Sequence, residues 1–363
     1  MESAFLMNLP KQSVVIVSPA LADANNGNWQ TARRWQQLLQ SPRASPQPLS
    51  ARIVTQWPDG PGAANDHCML ALHARRSAAS VFAWADLRGS VNTDDANVFP
   101  VAGLAVALTG TDLYRDIQTD PLAQRALQLA QRLVVLQVLG LDALPSELRD
   151  RASVIFQSTP ARVALPKPKR FLKALMVGHL REEKSPQTLF AAAQLLSGAD
   201  AIHLEHIGAP LDPVLAERAQ ATAVACLHYR WVGGLPHEAT RRHIQRAHVL
   251  VHTSRIEGGA HVVMEAVRCG TPVLASRIAG NVGMLGADYA GYFDWNNAGQ
   301  LVGLLRRCRD DATFLTHLQA QCAVRAPLFS AEVERQNLHA LVACLLPQQA
   351  SPSVAPVVHT RPV

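Results

Sequence analysis

Short apolar runs alternate with longer stretches of helical periodicity along almost the whole chain, and this alternation constrains the fold more than any other feature. Ser13–Ser18, Arg52–Thr55, Cys68–Leu72, Leu104–Leu108, Leu133–Leu136 and Ser153–Phe156 read as buried strands. They are apolar through their centres, as strands covered on both faces must be. Helical stretches between them, such as Ser77–Leu87 and Pro121–Ala130, argue for a parallel sheet. From Gln157 to Arg170 the pattern stops, with Pro160, Pro166 and Pro168 set among Lys and Arg, which reads as a linker. A second series then begins at Lys173–Val177 and continues through Ala201–Leu204, His228–Val232, Ala247–Thr253, Thr271–Ser276 and Gly291–Asp294. With 363 residues the chain exceeds one comfortable core. Two α/β Rossmann-like domains facing a cleft are expected, at 1–160 and 161–329.

The second series holds the most informative stretch. The run Ala247–Thr253 leads through Glu257-Gly258-Gly259 into a helix that starts at Ala260, with His261 next, and carries Glu265 in its second turn. Free N–H groups at a helix start, reinforced by the helix dipole, attract phosphate. Glycines let the backbone approach such an anion closely. Glu265 lies too far along to cap the helix and is placed to accept hydrogen bonds from a polyol such as ribose. Glu257, on the loop, can serve a second polyol. Hydroxyls at both ends of a diphosphate describe a nucleotide sugar. The same residues also read as an ordinary βα unit with two solvated glutamates.

Glu257 and Glu265, with the continuation Ala266-Val267-Arg268-Cys269-Gly270-Thr271-Pro272-Val273, resemble the E-x7-E motif of retaining-type GT-B glycosyltransferases. The resemblance implies that Glu257 contacts the donor sugar and Glu265 the ribose. Gly259-Ala260 replace the family's Phe-Gly, and Ala279-Gly280-Asn281-Val282-Gly283 replace its Gly-Gly-x-x-Glu. The segment Gly178-His179-Leu180-Arg181-Glu182-Glu183-Lys184 resembles the family's G-R-L-x-x-x-K diphosphate clamp. Lys184 matches it, His179 stands at the Arg position, and Arg181 or a protonated His179 would compensate. By the same resemblance Gly234, in Gly233-Gly234-Leu235-Pro236-His237, belongs to a base-contacting loop. The neighbouring Arg241, Arg242, His243 and Arg246 read as a wet helix face. By the resemblance, a last helix over 330–346 crosses back onto the first domain, and 347–363 is expected to be a disordered tail rich in Pro and Ser.

In the first domain the loop Asn25-Asn26-Gly27-Asn28 follows the first strand and faces the ligand edge of an open sheet. It can present amides and a helix start to an anion, or simply form a turn. Thr111, in Thr109-Gly110-Thr111-Asp112, offers a hydroxyl at another strand end. His73, Arg75 and Arg76 lie at the same edge and read equally as anion-binding or solvated. Ser18–Ala32, together with the Glu257–Ala260 and Gly178–Lys184 segments, resembles the selenosugar synthases of selenoneine biosynthesis, a narrow subgroup. That resemblance implies a UDP-sugar donor, UDP-N-acetylglucosamine foremost, and selenophosphate as acceptor. Asn25, Asn26, Gly27, Asn28 and Thr111 are then the acceptor candidates, and Lys184 and Glu257 the catalytic ones.

No motif calls for a metal or a cofactor. The net charge of +6 is spread over separate arginines rather than gathered in a stripe, which argues against nucleic-acid binding. No apolar run approaches ~20 residues, so no membrane span is expected. Six cysteines without metal-ligand spacing suit a cytoplasmic protein with reduced thiols. Two rival functions stay open: an ordinary retaining glycosyltransferase with a sugar or lipid acceptor, and a non-catalytic nucleotide-sugar sensor.

Overall fold

A computed structural model describes residues 12–19, 27–41, 49–89 and 99–346. They build two parallel sheets of six strands each. The first holds β1 (Gln12–Val17), β2 (Leu49–Val54), β3 (Cys68–Leu72), β4 (Val101–Leu108), β5 (Ala130–Val135) and β6 (Ala152–Val154), in the order β2-β1-β3-β4-β5-β6. The second holds β7 (Leu172–Val177), β8 (Ile202–Ile207), β9 (Tyr229–Gly233), β10 (Val249–His252), β11 (Val273–Ser276) and β12 (Tyr292–Phe293), in the order β12-β11-β10-β7-β8-β9. Every strand pairing is parallel. The central runs therefore become covered strands, with β3 and β10 buried at every position, while the edge strands β2, β6 and β9 keep exposed positions.

Strand order decides where ligands can go. In the second sheet it reverses between β7 and β10, so the loops leaving these strands diverge and open a crevice at their carboxyl ends. In the first sheet it reverses between β1 and β3. The segments singled out from sequence at Gly178–Lys184 and Glu257–Ala260 leave β7 and β10, at the switch point of the second sheet.

The helix Ala331–Leu345 returns to the first domain. Its Leu338, Leu341, Val342 and Leu345 pack in one cluster with Val14, Ile16, Trp35 and Leu70. Its first turn delivers Glu334, wholly buried, to Arg34, Trp35 and Ser158. The linker has no regular element over 157–170 but is strapped to the second domain. Arg162 N–H donates to Arg268 O at 3.2 Å and Leu165 N–H to Gln245 O at 3.0 Å.

Helices Gln187–Leu195, Pro213–Ala225 and Ala279–Leu285 add to those expected from sequence. The first is rich in Ala and buried on most sides, so it lacks the polar face that makes a helix visible in a sequence. Asn25, Asn26 and residues 347–363 lie outside the described residues. No helix among the described residues is long and apolar enough to cross a membrane. The six cysteines are free; five are buried and Cys344 is exposed.

Candidate functional site

Gly178 follows β7, and the chain then turns through His179 to a short helical turn at Glu182–Lys184. Gly208 makes this turn possible, since a Cβ there would stand 1.8 Å from the carbonyl oxygen of Gly178. His179 Nδ1 accepts the Ala209 N–H at 3.0 Å. Burial, then the charges of Arg181 and Lys184, push the pKa of His179 down. A protonated His179 would set an Nδ1–H against that N–H, so His179 does not replace the clamp arginine as a cation. Arg181 is exposed. Lys184 turns inward with 17% of its side chain exposed.

Beyond β10, Thr253 Oγ1 donates to Lys184 O at 2.7 Å, and Arg255 N–H donates to Glu183 O at 3.0 Å. These bonds clip the two loops together. Lys184 Nζ then meets Glu257 Oε1 at 2.5 Å, and His252 Nε2 lies 3.3 Å from the same oxygen. Burial works against the Glu257 carboxylate. The charge of Lys184 and the hydrogen bond from His252 outweigh it and hold the group well below the usual carboxylate range. Glu257 is therefore favoured as an anion and a strong hydrogen-bond acceptor. His252 escaped the sequence reading, where it was one residue of a strand; a polar residue at the end of an otherwise apolar run was its only signal.

Gly258 and Gly259 carry the chain against the first domain. A Cβ on Gly258 would meet Thr109 O at 2.4 Å and Gly110 N at 2.7 Å. One on Gly259 would meet the Leu136 Cβ at 2.9 Å. The glycines thus bring the two domains into backbone contact beside Glu257. Behind the loop, Asn281 Nδ2 donates to Ser276 O at 2.8 Å, and Ser276 Oγ to Ser254 O at 2.5 Å.

The helix His261–Arg268 follows, and among the described residues no side chain caps its N-terminus. Val263 N–H donates to Ala260 O at 3.0 Å, and the N–H groups ahead of it have no intrahelical acceptor and suit an anion. Glu265 is 6% exposed and faces basic side chains. His237 Nε2 is 2.5 Å from Glu265 Oε1, while Arg241 Nε and His261 Nδ1 are each 3.9 Å from it. The hydrogen bond to Glu265 raises the pKa of His237. Arg241 is no wet-face residue. It is 7% exposed and donates to Pro160 O at 2.7 Å, because the linker covers that side of its helix. His243 is half-buried and lies 2.5 Å from Glu205 Oε1, whereas Arg242 and Arg246 are exposed as expected. Gly234 packs its α-carbon side on Ala209, whose Cβ would be 3.3 Å from an added methyl.

On the first domain, Thr111 Oγ1 bonds His73 Nε2 at 3.2 Å. His73 is buried and holds a left-handed φ of 72°, a conformation that costs a non-glycine residue of the order of 1 kcal/mol or more. Asp112 is fully buried and accepts the N–H groups of Ala74, Thr109 and Gly110. It thereby fixes the turn that touches Gly258. Gly27 and Asn28 open the helix Gly27–Leu39. The structure thus gathers Lys184, Glu257, Gly258 and Gly259 at one point, with Thr111 next to the contacting glycine.

A family model described as glycosyl transferases group 1 matches residues 157–321. Sucrose-phosphate synthase from Thermosynechococcus elongatus superposes with a TM-score of 0.67 at 18% identity, covering 92% of this chain and 99% of that one. HepE of Anabaena, solved in complex with UDP and glucose, superposes with a TM-score of 0.68 at 12% identity and the same coverage. The lipopolysaccharide outer core galactosyltransferase WaaB gives 0.63 at 12% identity, again over 92% and 99%. The two parallel-sheet domains are those of the GT-B fold, and the match to the group 1 glycosyl transferase model spans the second of them.

Proposed function

We propose that the chain transfers the sugar of a UDP-sugar, UDP-N-acetylglucosamine foremost, to the selenium of selenophosphate. One observation carries the donor half. Lys184 and Glu257, 73 positions apart, meet at the switch point of the second sheet, at the foot of the uncapped helix that bears Glu265. The diphosphate fits the helix start and Lys184, the sugar hydroxyls fit Glu257, and the ribose fits Glu265. The neighbour solved with UDP and glucose has the same fold and supports a UDP-sugar donor.

The acceptor half rests on the resemblance of Ser18–Ala32 to the selenosugar synthases and on the contact between Gly110 and Gly258. That contact puts the Thr109–Thr111 turn, with His73 behind it, next to the sugar-binding carboxylate. Selenophosphate is already anionic, so it needs no general base. A selenium lone pair forms the bond to the anomeric carbon. The bond from that carbon to the diphosphate oxygen breaks, and its electron pair leaves with UDP. Water then cleaves the selenium–phosphorus bond, releasing phosphate and the selenosugar. Lys184 and the helix N–H groups stabilise the charge that grows on the leaving diphosphate. Single donors of this kind contribute about 3–4 kcal/mol in other enzymes.

The test is a reaction of purified protein, UDP-N-acetylglucosamine and fresh selenophosphate under anaerobic, reducing conditions. Mass spectrometry should show a selenium isotope pattern on a sugar only when all three are present, with UDP released. UDP release with a sugar acceptor, and none with selenophosphate, would instead support the ordinary glycosyltransferase suggested by the WaaB likeness. UDP-sugar binding without turnover of any acceptor would support a sensor.

A further inference from the structure

Arg34 belongs to the first domain, on the helix Gly27–Leu39, but its guanidinium lies at the helix start of the second. Its Nε is 3.0 Å from Glu334 Oε1 and 2.9 Å from Glu334 Oε2. Glu334 is itself held by Trp35 Nε1 at 2.9 Å and by the Ser158 N–H at 2.7 Å, and it is completely buried. That anchor leaves the guanidinium one direction to point. Its Nη1 donates to His261 Nε2 at 2.8 Å, on the first residue of the helix that bears Glu265.

The remaining nitrogen is unexplained by the protein. Arg34 Nη2 is buried and has no hydrogen-bond partner among the described residues. A guanidinium N–H withdrawn from water and left unpaired is costly, of the order of 1–3 kcal/mol. A ligand oxygen would complete it. Because Nε2 of His261 accepts from a permanent cation, the imidazole is neutral with its proton on Nδ1, on the side of Glu265. Burial, followed by the nearby charges of Arg34, His237 and Arg241, also keeps His261 from protonating. The ring thus adds no charge, and the cation aimed at the helix start is Arg34.

We propose that Arg34 is a donor-site residue supplied by the first domain, with its Nη2 reserved for a diphosphate oxygen of the nucleotide. The helix His261–Arg268 gives its N–H groups to the diphosphate from the second domain, and Arg34 approaches from across the cleft. The domains are then clamped on the diphosphate, and Glu334 on the returning helix fixes the angle. This inference rests on the nucleotide-sugar reading of the site.

The experiment compares UDP with uridine, which has no phosphate, on wild type, Arg34→Gln and Arg34→Lys. A lost charge-assisted hydrogen bond should weaken UDP about tenfold or more in Arg34→Gln, with uridine affinity unchanged. Arg34→Lys keeps a cation beside Glu334 and so protects the fold, but it cannot serve Glu334, His261 and a phosphate together, so UDP should weaken there too. Equal loss of UDP and uridine, or unchanged UDP affinity in the folded lysine variant, overturns the assignment. A wild-type protein that binds neither compound overturns the nucleotide-sugar reading and this inference with it.

Discussion

Lys184 Nζ lies 2.5 Å from Glu257 Oε1, and each side chain is largely buried, so this ion pair adds to the hydrogen bonds that hold the loops after β7 and β10 together. Removing one partner of such a pair leaves an uncompensated charge, which costs about 3–5 kcal/mol. Lys184→Met should therefore lower the midpoint of urea unfolding clearly, beyond its effect on ligand binding.

The same pair sets an acid limit. The pKa of Glu257 is lower in the folded protein than in the unfolded chain. Its contribution to stability is complete above the unfolded carboxylate value of about 4.3 and fades as pH falls below it. Melting temperatures of wild type should drop through that window, and those of Lys184→Met should drop less steeply. Parallel curves would show that the pair is not the source.

His237 gives the opposite slope. Its folded pKa is raised by Glu265, so its contribution is complete below the unfolded value of about 6.5 and disappears as pH rises through the folded value. Its side chain is more than half exposed, so the effect is small. Wild type should lose a little thermal stability from pH 6 to 8, and His237→Ala should remove that decline.

Gly258→Ala places a methyl 2.4 Å from Thr109 O, with backbone on both sides and no flexible chain to yield. Overpacking of this kind costs about 1–3 kcal/mol, and here it also pries the domains apart next to Glu257. Activity should fall with stability. Gly303→Ala meets nothing within 4 Å inside a helix and should be stabilising by about 0.5–1 kcal/mol.

Most strands were legible because they are short apolar runs broken at a turn, and such runs have one use in a sheet covered on both faces. The helices Gln187–Leu195 and Pro213–Ala225 were not read, because small residues spread round them blur the polar and apolar sides. Glu257, Glu265 and Lys184 could be singled out through motifs, but nothing local says that residues 73 apart touch. Arg241 was read as solvated since its helix alone predicts exposure, and the linker that buries it comes from another part of the chain. Arg34 and Glu334 had no signal at all. Their meaning lies in a contact between the first and last long helices, which a sequence does not display.

The central claim is that Lys184 and Glu265 hold the nucleotide part of a sugar donor. Isothermal titration of UDP into wild type, Lys184→Ala and Glu265→Ala, with folding checked by circular dichroism, tests it most directly. The account predicts binding to wild type and about tenfold or greater weakening in each variant. Unchanged affinity in both folded variants would contradict it.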